Sequence, residues 1–357
     1  MKIEFKKERE IMSKSRLKLQ RALTALLITG ISVFALAPAH AEDLVKVTAD
    51  NYVRAESDVQ MKGYAEAMDA FGKFAVNRTH YDVDNQVTVR GNRDTIYMFG
   101  TFDLTSPLTI TMPDPGERYM SLQVINQDHS IPPSIYGPAK RTFTMEDMGS
   151  RYILIGIRTF ANPNDPADMK AAHALQDAVV VEQADIGKLE LPNWDMQGVV
   201  TLRNAINVLN ATMTDTSTMF GEKDKLNPIH HLLGTAFGWG GQPKADAVYL
   251  NFSPEKNDGK TPYTLTVKDV PVDAFWSVIV YDSESWIPKN TRDIYSYNNV
   301  TAKKAADGSI TIHFGGDPKA DNYLDIMEGW NYIVRLYQPK KEILDGSWTF
   351  PSPELAK

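Results

Sequence analysis

Between residues 50 and 75 the apolar side chains Met61, Tyr64, Met68, Phe71 and Ala75 recur at intervals of three or four. That spacing keeps them on one stripe of a helix, so residues 50 to about 75 are predicted to form an amphipathic helix laid across a sheet. Downstream the period changes. Residues 87–89, 95–104, 108–112, 118–127 and 151–159 are short runs rich in Val, Ile, Thr, Tyr and Phe, separated by turn formers such as Pro113-Asp114-Pro115-Gly116. Strands at such short spacing read as an antiparallel sandwich or barrel.

Asn162-Pro163-Asn164-Asp165-Pro166 is a turn cluster that also supplies a helix start, and residues 167–184 continue with few breakers. Further helices fit 199–213 and 228–236. Gly238-Trp239-Gly240-Gly241-Gln242-Pro243 then breaks the pattern, and strands return at 247–252, 263–267, 274–281, 310–314 and 332–337. Asp258-Gly259 and Asp307-Gly308-Ser309 are hairpin-type turns between them. The layout predicts a mainly β protein with helices: a β domain over 42–160, a helical connecting region over 161–240 and a second β domain over 241–357.

The first 41 residues have a different character. Lys14, Arg16, Lys18 and Arg21 precede the apolar run 22–37, which ends in Pro38-Ala39-His40-Ala41. This is the order of a removable secretory signal, and the run is shorter than the roughly 20 residues of a membrane span. Cleavage is expected after Ala41, leaving a periplasmic or secreted protein without a membrane anchor. Loss of this segment removes eight basic and three acidic side chains, leaves 30 basic against 42 acidic, and moves the formal charge from −7 to −12. Such a balance repels phosphate backbones and anionic lipid, which argues against nucleic-acid and membrane-surface partners. The absence of cysteine excludes disulfides, thiolate nucleophiles and Cys-ligated metals. No cofactor is assigned.

The commonest catalytic signatures are missing: there is no G-x-S-x-G, H-E-x-x-H, P-loop or G-x-G-x-x-G. The densest polar cluster beside a predicted strand is Asn92-Arg93-Asp94-Thr95 with Tyr97. Asp94 could act as a base or charged anchor, Arg93 could clamp an anion, and Asn92 and Tyr97 could orient a ligand. The same residues also suit an Asx turn at the strand entrance. His129, at the end of another strand, is the candidate acid–base partner of Asp94. His230 and His231 are adjacent and would diverge by about 100° on a helix, so they cannot jointly chelate one ion. Asp82, Asp84 and Asn85 lack the spacing of an EF-hand, and no metal ligand is assigned.

Towards the C-terminus Trp276, Tyr281, Trp286, Tyr295, Tyr297 and Trp330 alternate with Asp282, Arg292 and Arg335. Aromatic faces beside guanidinium and carboxylate groups suit a sugar-like or aromatic acid ligand, although Trp276 and Trp330 read more readily as core, which large aromatics dominate. Asp282 and Arg292 are the preferred ligand contacts of this region.

Asn92-Arg93-Asp94-Thr95-Ile96-Tyr97 leading into Phe102-Asp103-Leu104 resembles the N-terminal signature of the domain of unknown function 1254. Pro271-Val272-Asp273-Ala274-Phe275-Trp276-Ser277 with Val280-Tyr281-Asp282 resembles its usual C-terminal partner, the domain of unknown function 1214. Gly315-Gly316-Asp317, Gly329-Trp330-Asn331-Tyr332, Arg335-Leu336-Tyr337 and Asp345-Gly346-Ser347-Trp348 extend that second resemblance. One departure is Gly91, which stands where a proline commonly precedes the asparagine. The resemblance implies an immunoglobulin-like β-sandwich followed by a jelly-roll-like β domain, and it brings no established activity.

The leading expectation is binding of a small polar or carbohydrate-like ligand in a cleft of the β domains. Alternatives are a cofactor-free or divalent-ion-assisted hydrolase built on Asp94 and His129, and a structural or assembly protein of the cell envelope, including a homo-oligomer.

Overall fold

The computed structural model describes residues 43–356 apart from Val87 and Thr214. The expected leader, residues 1–41, lies outside the described residues, as does Val87 of the run 87–89. The N-terminal part contributes β1 (Ala75–Val76), β2 (Thr95–Asp103), β3 (Leu108–Met112), β4 (Met120–Asn126), β5 (Ile135–Tyr136), β6 (Ala139–Phe143), β7 (Tyr152–Phe160) and β8 (Val180–Gln183). They form a five-stranded sheet, β1-β2-β7-β4-β5, and a three-stranded sheet, β6-β3-β8. Met98, Phe102, Leu122 and Ile155 from the first meet Leu108 and Ile110 from the second in one core, which makes the pair a sandwich.

The C-terminal part repeats this logic with β9 (Ala247–Phe252), β10 (Tyr263–Val267), β11 (Trp276–Tyr281), β12 (Ser296–Asn298), β13 (Ile310–Phe314), β14 (Tyr323–Leu324), β15 (Asn331–Tyr337) and β16 (Glu354–Leu355). Its two four-stranded sheets are β14-β13-β10-β16 and β12-β11-β15-β9. Leu265, Ile312 and Phe314 pack against Val278, Trp330 and Val334 to close the second core. The protein is mainly β with helices, as its pattern predicts.

The helices are α1 (Tyr52–Ala67), α2 (Met145–Met148), α3 (Pro166–Asp177), α4 (Met196–Asn210), α5 (Pro228–Gly238) and α6 (Lys341–Leu344). Three have starts written in sequence. The Asp165 carboxylate caps the amides of Ala167 and Asp168 ahead of Pro166, Asp195 caps Gly198, and Asn227 caps Ile229 and His230 ahead of Pro228. Tyr52, Ala55, Val199, Ile206 and Leu233 join α1, α4 and α5 in a helical core. Among the described residues no helix is long and apolar enough to cross a membrane.

Three expectations fail locally. The helix predicted to reach residue 184 stops at Asp177, because Val180-Val181-Glu182-Gln183 pairs with β3 and Val181 packs against the first core. Its β-branched pair is worth more on a pleated surface than in a helix. The first helix ends at Ala67 rather than near 75, and Ala75–Val76 pairs with β2 instead. Thr88 and Val89 lie in a turn and not in a strand.

The arrangement that positions the site is the burial of β4, β11 and β15 along their whole length. One face of each strand belongs to its own sandwich core. The opposite face of the five-stranded sheet is divided: Thr101 and Leu154 lie under α1, where the Thr101 hydroxyl donates to the Met61 carbonyl, whereas Tyr97 and Ser121 face the other sandwich. Leu44–Lys357 thus forms one compact unit.

Candidate functional site: a donor-rich chamber between the sandwiches

Residues paired directly across an antiparallel ladder point to the same side. Tyr97, Arg158, Ser121 and Tyr136 therefore form one row across the five-stranded sheet. Tyr249, Arg335, Ser277 and Asn298 form another across the sheet β12-β11-β15-β9. The rows face each other. Asn92 Nδ2 donates to Tyr97 Oη and to Tyr337 Oη at 2.9 Å each. Ser277 Oγ donates to Asp94 Oδ2 at 2.5 Å, and the rings of Tyr119 and Tyr337 lie 5.3 Å apart.

Apolar clusters seal the seam on two sides. Tyr119, Phe160, Phe275 and Tyr337 close one; Ile279, Tyr281 and Ile333 with Tyr81 and Val83 close the other. Between them the side chains are polar. Arg335 is 4% exposed; its Nη2 donates to the Arg90 carbonyl at 2.9 Å and to Tyr281 Oη at 2.8 Å, while Nη1 meets no acceptor. Arg158 Nη1 donates to Gln123 Oε1 at 2.6 Å, and its guanidinium stands 5.6 Å from the Tyr97 ring centre. Among the described residues neither arginine forms an ion pair. Asp94 Oδ1, Ser121 Oγ and Gln242 Nε2 also lack partners, and Tyr119 Oη lies near Ser121 and Gln242 without hydrogen-bond geometry to either.

The charges follow from this enclosure. Burial pushes the Asp94 carboxyl up, against the opposing pull of Arg335 and the Ser277 hydrogen bond. Burial also opposes the charge of both arginines, but the phenols around Arg158, and Tyr281, Tyr337 and Asp94 around Arg335, outweigh it and hold both above the usual range. The Tyr249 phenol is pushed up to about 12 by burial, with both arginines opposing. Tyr249 nevertheless keeps 39% of its surface accessible. Its hydroxyl reaches inward and donates to Gln242 Oε1 at 3.3 Å, while the rest of the ring is exposed at edge strand β9.

Asn92, Asp94, Tyr97 and Arg335 are thus brought together. The other candidates are not. Arg93 turns away, donating to the Tyr81 carbonyl at 2.6 Å with Tyr295 beneath it at 5.0 Å, and lines a separate cavity of about 510 Å³ with His80 and Asp293. Asp282 accepts the amides of Glu284 and Trp286 in a turn. Arg292 donates to the Pro318 carbonyl over the Tyr323 ring. Trp330 is fully buried in the second core.

His129 does not partner Asp94. The two lie at opposite ends of the five-stranded sheet, and the six steps from Ile96 to Phe102 at about 3.3 Å each separate them by on the order of 20 Å. His129 Nε2 accepts the Gly240 amide at 2.9 Å, and Nδ1 meets Thr235 Oγ1 at 2.8 Å. Burial pushes it well below the ordinary histidine range, so it is a neutral structural residue packed between His231 and Trp239. Among the described residues no group of three or more His, Asp or Glu side chains is arranged to hold a metal. Asp82 closes its own turn onto Asp84 and Asn85.

Sequence reasoning missed Arg158, Gln123, Ser121, Tyr249 and Tyr337. For Ser121, Gln123 and Arg158 the signal was the alternation Met120-Ser121-Leu122-Gln123-Val124 and Ile155-Gly156-Ile157-Arg158. It reads as a sheet with one wet face, and that face is covered by a second sheet.

Comparison with known proteins gives architecture and no activity. No curated protein matches the sequence. The crystal structure of the VPA0106 protein from Vibrio parahaemolyticus is similar over 87% of this chain and 98% of its own, with 18% identity and a TM-score of 0.67, which supports the fold. A putative uncharacterized protein from Burkholderia cenocepacia matches over 86% of this chain and 88% of its own at 11% identity and a TM-score of 0.49. The models of two families match as well, protein of unknown function (DUF1254) at residues 71–145 and protein of unknown function (DUF1214) at residues 248–341. The chain therefore carries, in this order, the two paired domains of unknown function, 1254 and 1214, that its sequence resembles, with Asn92 bridging Tyr97 and Tyr337 where their sheets meet.

Proposed function

We propose that this protein binds a small polar ligand in the chamber between its two sandwiches, and that it does so outside the cytoplasm after loss of residues 1–41. The observation that carries the first part is the concentration of unpartnered buried groups: Arg335 Nη1, Asp94 Oδ1, Ser121 Oγ, Tyr119 Oη and Gln242 Nε2. Each such group costs about 1–3 kcal/mol if nothing meets it. Their gathering along the seam between the two sheets is the arrangement expected where buried polar groups are completed by a bound molecule.

The test is extraction. Protein purified from its native source is denatured and the released small molecules are identified by mass spectrometry, beside a Tyr249→Trp variant whose larger ring crowds the seam at Arg335 and Gln242. A stoichiometric molecule from the wild type and none from the variant is expected. Equal release from both would place the ligand elsewhere and sink the reading. The export half is read from the intact mass, where a chain that retains residues 12–41 would overturn it.

A further inference from the structure

We propose that the ligand is a small organic acid with an apolar body, its carboxylate held between Arg158 and Arg335. This rests on the binding reading above and adds the chemical class. Hydrogen-bond polarity carries the argument. Tyr97 Oη and Tyr337 Oη each accept from Asn92, so their own hydroxyl hydrogens are left to donate. Arg335 Nη1 and Gln242 Nε2 are donors without acceptors. Among the described residues Arg158 donates one hydrogen bond, to Gln123, out of the five N–H groups a guanidinium carries. Against these donors the unused acceptors of the seam are Asp94 Oδ1 and the two hydroxyls of Ser121 and Tyr119, which can donate as well as accept. A chamber with surplus donors is completed by a group that only accepts, and an ionised oxyanion is such a group.

Charge points the same way. Along the seam the guanidinium groups of Arg90, Arg158 and Arg335 meet two buried carboxylates, Asp94 and Asp246, the latter holding Tyr136 Oη at 3.0 Å, so even with both ionised one positive charge is uncompensated in a largely buried region, where charges interact more strongly than in water. Burial raises Asp94 towards its neutral form, which enlarges the surplus. One carboxylate matches it.

The body of the ligand is read from the wall. Phe99 packs with Met61 and Leu154 under α1 and borders the Arg158 row, with its ring stacked on Tyr97 at 5.4 Å and against Tyr64 at 4.9 Å. Opposite Phe99 the strand carries Gly156, where any Cβ would come within 3.3 Å of the Phe99 ring. An aromatic wall beside a guanidinium fits a carboxylate attached to an apolar group better than a bare inorganic ion.

The experiment uses the purified chain and thermal melts at constant ionic strength with four probes: benzoate, its neutral isostere benzamide, inorganic phosphate and glucose. Saturable stabilisation by benzoate is expected, at least about tenfold tighter than by benzamide, the equivalent of 1.4 kcal/mol. Arg158→Gln should weaken benzoate at least about tenfold and leave the unliganded melt near wild type. Arg335→Gln also releases the loop carbonyls of Arg90 and Gly91, so Tyr97→Phe serves as the second probe and should weaken benzoate without unfolding the chain. Glucose or benzamide binding as tightly as benzoate, yet lost in Tyr249→Trp, would keep the chamber and overturn the acid. Phosphate saturating where benzoate does not would also overturn it. Binding insensitive to both Arg158→Gln and Tyr249→Trp, or no saturable binding by any probe, would overturn the acid and the chamber together.

Discussion

Asp94, at the head of β2, accepts a 2.5 Å hydrogen bond from Ser277 of β11, 183 positions along the chain. The bond ties the entrance of one sandwich to the sheet of the other. Asp94 is 1% exposed and its second oxygen has no partner, so burial raises its pKa in the fold. The folded state then keeps a proton that the unfolded chain has already lost. Stability from this group is complete below the unfolded pKa near 3.8 and declines as pH rises towards the raised folded value. Asp94→Asn keeps the shape and an acceptor for Ser277 without the charge. It should equal or exceed wild type at neutral pH in urea melts, with the difference vanishing near pH ~4. A loss above about 1 kcal/mol at neutral pH would mean that Asp94 is ionised in the fold and that its attraction to Arg335 dominates.

The histidines give an acid limb of opposite sign. His129 and His80 are buried, His129 held well below 6.5 and His80 lowered to about 4, in both cases chiefly by burial. A base with a depressed folded pKa is protonated first in the unfolded chain. Its contribution is intact above pH 6.5 and is lost as pH falls below that value, at up to about 1.4 kcal/mol per pH unit for each group. Urea melts in steps between about pH 7 and 4 should show this slope. His129→Gln should lower stability at neutral pH and flatten the slope by up to about 1.4 kcal/mol per pH unit, because one histidine no longer titrates while the opposing slope of Asp94 is unchanged. An unchanged slope in the variant would show that His129 takes up its proton in the folded state.

Trp330 separates a core residue from a ligand contact. It has no exposed surface and its ring centre lies 5.0 Å from that of Phe314. Trp330→Ala should cost about 3–5 kcal/mol by opening a cavity. Trp330→Phe should cost less, since the indole Nε1 has no partner to lose. A Trp330→Ala chain with a wild-type melting point and lost ligand binding would move Trp330 into the site.

How much of this the sequence disclosed depends on where each signal lives. Strands β3, β9, β10 and β13 stand at their predicted limits, because each carries its own run of β-forming residues between turn formers. The caps at Asp165 and Asn227 are local too. The chamber is not local. Asn92 and Asp94 were visible as a polar cluster, but Arg158, Ser121 and Tyr249 occupy alternate positions of ordinary half-polar strands, and only the stacking of one sheet on another converts that face into an interior. His129 misled for the converse reason: a histidine beside an acid at a strand end looks chemical until Gly240 and Thr235 are found to occupy both ring nitrogens.

The last prediction concerns Asn92, whose single amide nitrogen bridges Tyr97 of one sandwich and Tyr337 of the other, while its Oδ1 accepts the Asp94 amide. Two hydrogens of one planar group serve two rings, so losing either phenol leaves an N–H without its acceptor and loosens the geometry of the second bond. Tyr97→Phe and Tyr337→Phe should each cost about 0.5–1.5 kcal/mol. Their effects should not add, because groups in one hydrogen-bond network couple where distant sites do not. A double-mutant cycle on urea stability should return a coupling of at least about 0.5 kcal/mol. Repeating the cycle in Asn92→Ala, where the bridge is gone, should bring the coupling close to zero. Persistence of the coupling without Asn92 would mean that the two phenols communicate through direct packing, for instance by way of the Tyr119 ring beside Tyr337, and that the amide bridge is incidental to how the sandwiches are held together.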